Sequence, residues 1–168
     1  QDHNFAAVKQ AILDGRVGDV HIIKITSRDP EPPSAEYAAV SGGMFLDMTI
    51  HDFDMVRYLA VCDAEEIYVQ SAVLVDPAIG EAGDVDTAVI TLKMENGAIA
   101  VIDNSRRAVY GYDQRAEVFG SRGMAATSND TLSSMVLSNA EGVTGEKPLY
   151  FFLERYMQSF AAEIRGFI

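Results

Sequence analysis

Cysteine, basic residues and long apolar runs are scarce or absent in this sequence of 168 residues. The single cysteine, Cys62, excludes an internal disulfide and a sulfur-ligated metal site, and it predicts a reducing, cytoplasmic compartment. With 25 acidic and 13 basic residues the net charge is −12, which argues against nucleic acid and anionic membranes as partners because both require a basic surface. No apolar run is long enough to span a bilayer.

Two motifs of common enzyme classes are also missing. No Gly-x-Gly-x-x-Gly follows a strand and opens a helix, so the sequence predicts no dinucleotide-binding turn of its own. There is no Gly-x-Ser-x-Gly, and Cys62 has no histidine in a local motif, so nucleophilic catalysis lacks support.

The composition is that of an ordinary globular domain, with 48% apolar and 23% charged residues. Its length allows one domain with its own core, so we expect residues 1–168 to form a single domain. The chain begins with Gln1 and ends at Ile168 inside helix-like patterns. We therefore expect it to be a fragment of a longer protein.

Apolar periodicity and turn residues predict the order of helices and strands. Helices are predicted over residues 5–14, 44–60 and from 149 onward, and strands over 20–28, 66–75, 86–94, 98–108, 114–120, 124–128 and 132–138. Residues 29–43, 76–84 and 140–147 are predicted loops, and Asn96-Gly97 predicts a hairpin turn. This order indicates an α+β domain with helices packed on one face of a mostly antiparallel sheet.

The two faces of the predicted hairpin differ in polarity. Ala88, Ile90, Leu92 and Met94 share one face, which we expect to be buried. The opposite face carries Val85, Thr87, Val89 and Thr91, which is rather apolar for a face in water. It predicts a subunit contact and hence a homo-oligomer, although threonine and valine also simply suit strands.

The stretch from Ser41 to Asp54 carries the candidate chemistry. Asp47 and His51 are four residues apart, which makes them neighbours on a helix, and Asp54 lies on the same side. The flanks of this polar arc are apolar: Leu46, Ile50 and Phe53 on one side, Met48, Met55 and Leu59 on the other. The arc is either a buried polar cluster or a general base, His51, oriented by Asp47.

A metal site is a third hypothesis for the same stretch. Asp47, His51, Asp52 and Asp54 are residue types that bind zinc or manganese. Asp52 falls off the polar arc, however, and no second histidine lies nearby. We therefore predict no metal.

The pattern Gly42-Gly43-x-x-x-Asp47-x-x-x-His51-x-x-Asp54 resembles the second signature of the glucose–fructose oxidoreductase/inositol dehydrogenase family. Residues 21–30, 42–59, 81–92 and 109–121 extend the resemblance over most of the chain. It implies the C-terminal domain of a two-domain enzyme, with a dihydrodipicolinate-reductase-like fold. It further implies that the NAD-binding Rossmann domain is absent from this chain, and that the protein forms a homotetramer through its sheet.

The resemblance also implies roles for particular residues. His51 would take the proton from a substrate hydroxyl, and Asp47 would bind and orient that hydroxyl or the imidazole. Asp29 and Tyr112 match positions near the substrate ring, which would be myo-inositol or a related polyol or sugar. The fragment alone should be inactive, since the Rossmann domain and its catalytic lysine are missing. A non-catalytic sugar-binding or assembly module and a metal-dependent hydrolase remain the alternatives.

Overall fold

The computed structural model describes residues 2–167, except the side chains of residues 158 and 167. Its helices are α1 (His3–Leu13), α2 (Ala35–Val40), a π-helix (Phe45–Thr49), α3 (Ile50–Ala60), α4 (Pro77–Glu81), α5 (Phe152–Arg155) and α6 (Met157–Phe167). Its strands are β1 (Val20–Arg28), β2 (Ala64–Ala72), β3 (Thr87–Met94), β4 (Ile99–Ser105), β5 (Asp113–Gly120), β6 (Gly123–Ala126), β7 (Val136–Asn139) and β8 (Gly142–Gly145). Within residues 2–167, no helix has the length and apolar character needed to cross a membrane.

Six strands form one mixed sheet in the order β2-β3-β4-β1-β5-β6, and β7 pairs with β8 in a separate two-stranded sheet. In the large sheet β1 pairs with β4 in parallel, and the other four neighbouring pairs are antiparallel. The predicted α+β class with a mostly antiparallel sheet is therefore confirmed. The parallel pair, which was not predicted, brings the carboxyl ends of β1 and β4 to the same edge.

The core lies between one face of this sheet and the helices α1 and α3. Along β3 buried and more exposed residues alternate, with Ala88, Ile90, Leu92 and Met94 pointing inward as predicted. The hairpin to β4 turns at Asn96-Gly97, where Gly97 has φ +85° and its amide donates to the Met94 carbonyl at 2.9 Å. The predicted alternation along β3 and the predicted hairpin turn therefore both agree with the structure.

Several predicted loops contain short elements. Residues 29–43 include α2, which Ser34 caps through the Tyr37 amide, and residues 76–84 include α4, capped by Asp76. Residues 140–147 include β8, paired with β7. Four- to six-residue elements such as these show too little periodicity to be recognised in sequence.

Several element boundaries also differ from the prediction: β4 ends at Ser105 and not at 108, and β7 begins at Val136 and not at 132. Strand β2 ends at Ala72, earlier than predicted, because the amides of Leu74 and Val75 donate to the buried Asp86 carboxylate at 2.8 and 2.9 Å. The C-terminal helix begins at Phe152, later than predicted, and is interrupted at Tyr156 between α5 and α6. At the end of β2, the hydrogen bonds to the Asp86 side chain compete with strand pairing.

Candidate functional site

The candidate site lies at the sheet edge where the parallel strands β1 and β4 both end. Asp29 follows β1 and Arg106 follows β4, and the Asp29 amide donates to the Ser105 carbonyl at 3.0 Å. The Arg106 guanidinium is buried, with 4% of its side chain exposed. Its Nη1 donates to Asp29 Oδ2 at 3.3 Å and its Nη2 to Asp47 Oδ2 at 2.8 Å. One arginine thus joins two of the residues proposed from the sequence.

Asp47 lies in the π-helix, so the predicted continuous α-helix over residues 44–60 is wrong in its first turn. A π-helix has a wider turn than an α-helix, so the spacing of four no longer places Asp47 above His51. The Asp47 Oδ1 instead accepts a hydrogen bond from the Tyr37 hydroxyl at 2.7 Å, while Oδ2 accepts from Arg106. The predicted orientation of His51 by Asp47 is therefore absent from this structure.

His51 lies in the first turn of α3, and its side chain is exposed. It makes no hydrogen bond or ion pair with any described residue, so both ring nitrogens lack a partner among residues 2–167. The apolar flank predicted beside it is not buried either, since Leu46 is 67% exposed and Ile50 is 45% exposed. His51 is thus accessible to a molecule approaching from outside this domain.

The glycine pair before the π-helix has a local structural role. Gly42 and Gly43 have φ values of +90° and +81°, a left-handed conformation that glycine adopts without strain. The Met44 amide at the helix start donates to both carboxylate oxygens of Asp84, at 2.9 and 3.0 Å. An internal carboxylate thus already binds at this helix N-terminus.

A buried polar network lies beneath the site and includes Asp52, the residue that the sequence placed off the polar arc. Asn104 Nδ2 donates to Asp52 Oδ2 at 2.7 Å, and the Thr49 hydroxyl donates to Asn104 Oδ1 at 2.8 Å. Gln114 Nε2 donates to the Ser27 hydroxyl at 2.8 Å. Burial raises the pKa of the Asp52 carboxyl to about 7, although hydrogen bonds from Asn104 and Ser27 oppose this shift.

Asp29 also lies in a low-dielectric environment. Burial raises the pKa of its carboxyl, the charge of Arg106 lowers it, and the nearby Asp47 carboxylate raises it again. The net direction is upward. Asp29 and Asp47 are therefore two acids close enough to influence one another.

Tyr112 packs against other aromatic rings. Its ring makes edge-to-face contacts with Phe151 and Tyr156, each with centroids 6.1 Å apart. Burial raises the pKa of the Tyr112 hydroxyl well above its usual range, and the negative charges of Asp29 and Asp52 add to this effect. Tyr112 therefore lies within electrostatic range of the Asp29 and Asp52 carboxylates.

The four residues of the metal hypothesis do not converge. Asp52 is buried in the polar network, whereas His51 and Asp54 are exposed. Among residues 2–167, Asp47, His51, Asp52 and Asp54 do not bring ligand atoms within reach of one shared ion. The geometry therefore gives the hydrolase hypothesis no support.

Sequence reasoning missed Arg106, Tyr37 and Asn104. For Asn104 a signal exists, because it continues the buried alternation of Ala100 and Ile102 along β4 and is therefore a polar residue at a core position. Arg106 and Tyr37 lie in segments that show no local pattern. Their proximity to Asp47 depends on the tertiary fold.

Comparison with known proteins identifies inositol dehydrogenases as relatives. The chain is 54% identical over 167 residues to a myo-inositol 2-dehydrogenase of Thermotoga maritima, covering 99% of this chain and 50% of that protein. It superposes with a TM-score of 0.96 on the crystal structure of a putative myo-inositol dehydrogenase from Sinorhizobium meliloti 1021, at 47% identity over 99% of this chain and 50% of the other.

A third relative was crystallised with ligands. It is the scyllo-inositol dehydrogenase of Lactobacillus casei with bound NAD(H) and scyllo-inositol, with a TM-score of 0.88 and 28% identity over 99% of this chain and 50% of the other. The chain thus spans about half the length of the relatives it matches.

The family model described as the GFO/IDH/MocA C-terminal domain matches residues 5–126, which include the mixed sheet, the π-helix and the candidate site. This chain belongs to the GFO/IDH/MocA C-terminal domain family.

Proposed function

We propose that this chain is the substrate-binding and catalytic half of an NAD-dependent dehydrogenase that oxidises a ring hydroxyl of myo-inositol or a related polyol. The observation that carries the proposal is the exposed His51, which has no partner in the described part of the chain, near Asp47. Tyr37 and Arg106 hold the two carboxylate oxygens of Asp47. The names of the relatives support the same reaction and substrate class.

The chain is suited to the substrate side of this reaction and not to the phosphates of the cofactor. The Met44 amide at the helix start already donates to the Asp84 carboxylate, so this amide is not free for a pyrophosphate. We infer that NAD is bound mainly by a Rossmann domain outside this chain, for which the length of the relatives leaves room. When bound, NAD supplies the acceptor for the hydride.

The residues of this chain would bind the polyol and remove its proton. His51, with a ring nitrogen open to solvent, would accept the proton of the reacting hydroxyl. Asp47 would accept a hydrogen bond from a substrate hydroxyl through the lone pairs left free by Tyr37 and Arg106. Asp29 and Tyr112 would bind further hydroxyl groups of the ring.

Substitution of the two proposed catalytic residues in the intact protein tests this function. We expect His51→Ala and Asp47→Asn each to lower kcat for myo-inositol by about 100-fold or more, since general-base catalysis contributes that much. NAD affinity should stay close to that of the wild type. His3→Ala is the matched control and should retain the wild-type rate, because His3 is exposed and lies in α1, outside the candidate site.

The outcomes separate the rival functions. Wild-type rates in both variants would contradict the proposed roles of His51 and Asp47. An intact protein that binds polyol but oxidises none with NAD would instead support the non-catalytic sugar-binding module.

We further propose that the protein forms a homo-oligomer through the open face of its sheet. By register, Ile22 lies between Ile99 of β4 and Phe119 of β5, and Met124 of β6 is opposite Phe119. All four side chains are exposed and together form an apolar row across four strands. A second copy of this chain offers a matching row.

The free Cys62 is consistent with the predicted cytoplasmic location.

A further inference from the structure

Arg106 is the most deeply placed cation of the candidate site. Its side chain is 4% exposed, and it makes ion pairs with Asp47 at 2.8 Å and with Asp29 at 3.3 Å. Its Nε is buried without a hydrogen-bond partner among the described residues. A buried cation is costly unless nearby anions compensate it, so these two carboxylates stabilise the arginine and it stabilises them.

The two carboxylates depend on this cation because both contact one guanidinium, Asp29 at Nη1 and Asp47 at Nη2. Two acids so close in a partly buried site cannot both stay ionised without a compensating charge, and one then retains a proton. An ionised carboxylate accepts hydrogen bonds only, whereas a protonated one also donates. The charge of Arg106 therefore determines how this pair can bind hydroxyl groups.

We propose that Arg106 is a positioning residue that holds Asp47 and Asp29 side by side as an ionised pair of acceptors for two neighbouring hydroxyls of the polyol substrate. The inference rests on the proposed function and adds a substrate preference, for vicinal diols over mono-alcohols. Tyr37 fixes the second Asp47 oxygen, which leaves the carboxylate one orientation.

The charged and titratable groups around Asp47 come from four elements. Tyr37 faces it from α2, Arg106 from the end of β4 and Asp29 from the end of β1. His51 follows it on α3, and Asp52 lies in the network beneath Asp29. Of these, Arg106 is the only permanent cation.

The test is Arg106→Gln in the intact protein, with kcat/KM for a polyol measured from pH 6 to pH 9. Loss of the guanidinium removes the charge that lowers the pKa of Asp29, so this pKa rises and the acceptor form is depleted most at low pH. At pH 9 we expect kcat/KM of the variant to be about 10- to 100-fold below that of the wild type, because a charged hydrogen-bond donor is lost. At pH 6 the ratio of wild type to variant should be at least a further 10-fold larger. The exposed neighbour provides the control, and Arg107→Gln should leave the profile unchanged.

A double variant distinguishes positioning from a general loss of structure. In Arg106→Gln with Asp29→Asn the second acid is gone, so the excess loss at pH 6 should largely disappear although the arginine is still missing. Tyr37→Phe provides a second variant that retains the fold, because Tyr37 is 49% exposed. It should raise KM for the polyol several-fold with little change in kcat.

Carbon-13 NMR titration of the aspartate carboxyls in the wild type and Arg106→Gln decides the inference independently of turnover. Asp29 should titrate at higher pH in the variant, because the charge of Arg106 lowers its pKa in the wild type. Equal titration in both proteins, or a uniform loss of kcat/KM at every pH, would overturn it. A wild type that oxidises no polyol would contradict the proposed function, and the titration would still decide the role of Arg106.

Discussion

Three aspartates within a short distance of one another have different surroundings and therefore different chemistry. Asp47 accepts hydrogen bonds from Tyr37 and Arg106, Asp29 shares the same arginine at a longer distance, and Asp52 is buried with neutral partners. Of the three, only Asp52 has no cation beside it among the residues that the structure describes, and burial raises its pKa to about 7. The residue type alone does not reveal these differences, because the pKa is determined by surroundings that the fold assembles.

Asp52 predicts a pH dependence of stability. Its pKa is raised to about 7 in the folded protein, so between pH 4 and 7 the unfolded chain has released a proton that the native state retains. The free energy of unfolding should therefore fall as pH rises through this window, by roughly 1–4 kcal/mol. Urea denaturation of the wild type and Asp52→Asn at pH 5 and pH 8 measures it. In Asp52→Asn the free energy of unfolding should differ much less between pH 5 and pH 8 than in the wild type. An equal pH dependence in both proteins would contradict its assignment to Asp52.

At the scale of elements, the site is formed by the turn before the π-helix and by the parallel pairing of β1 with β4. The pairing brings Asp29 next to Arg106, and the π-helix turns Asp47 toward the same guanidinium. π-Helical turns are frequent at functional sites because they redirect side chains within a helix. The helix start is in turn held by the contact of Met44 with Asp84.

Gly43 is expected to be intolerant of a side chain for two reasons. Its φ is +81°, and a Cβ would lie 2.9 Å from Asp84 Oδ1. Gly43→Ala should lower the free energy of unfolding by about 1–2 kcal/mol for the left-handed backbone alone, and further because Asp84 must move. Gly97→Ala is the matched control, since Gly97 has φ +85° and open space around it. Equal losses in thermal or urea denaturation would show that the contact with Asp84 contributes nothing.

At the scale of the whole molecule, one face of the sheet is covered by helices and the other is open. The open face carries the apolar row of Ile22, Ile99, Phe119 and Met124, and Lys93, which pairs with Glu65 and Glu66, lies opposite Ile99 at one end of this row. Contiguous exposed apolar surface of this kind marks contacts between proteins.

A charge in the centre of the apolar row should weaken self-association. We expect the protein to be oligomeric at micromolar concentration and Ile99→Glu to shift it toward the monomer, because an unpaired carboxylate would be buried in the interface. Light scattering coupled to size-exclusion chromatography measures the mass. Leu13→Glu, at a position on α1 that is 61% exposed against 52% for Ile99, is the control and should leave the mass unchanged. A monomeric wild type would count against the interface.

Much of the fold was predictable because its signals are local. The bounds of β1 agree with the prediction, the inward residues of β3 follow a period of two, and the Asn96-Gly97 turn joins β3 to β4. Each of these features depends on residues within a few positions of one another, where sequence patterns carry information.

The amino-acid sequence was sufficient to predict the fold class, the hairpin and the identity of Asp47 and His51 as candidates. The folded domain was needed to see that Asp47 pairs with Arg106 and Tyr37 and not with His51, and that Asp52 belongs to a buried network. These contacts join segments far apart in the chain, through a parallel strand pair and a π-helix that leave no periodic signature. Their geometry therefore follows from packing of the whole domain.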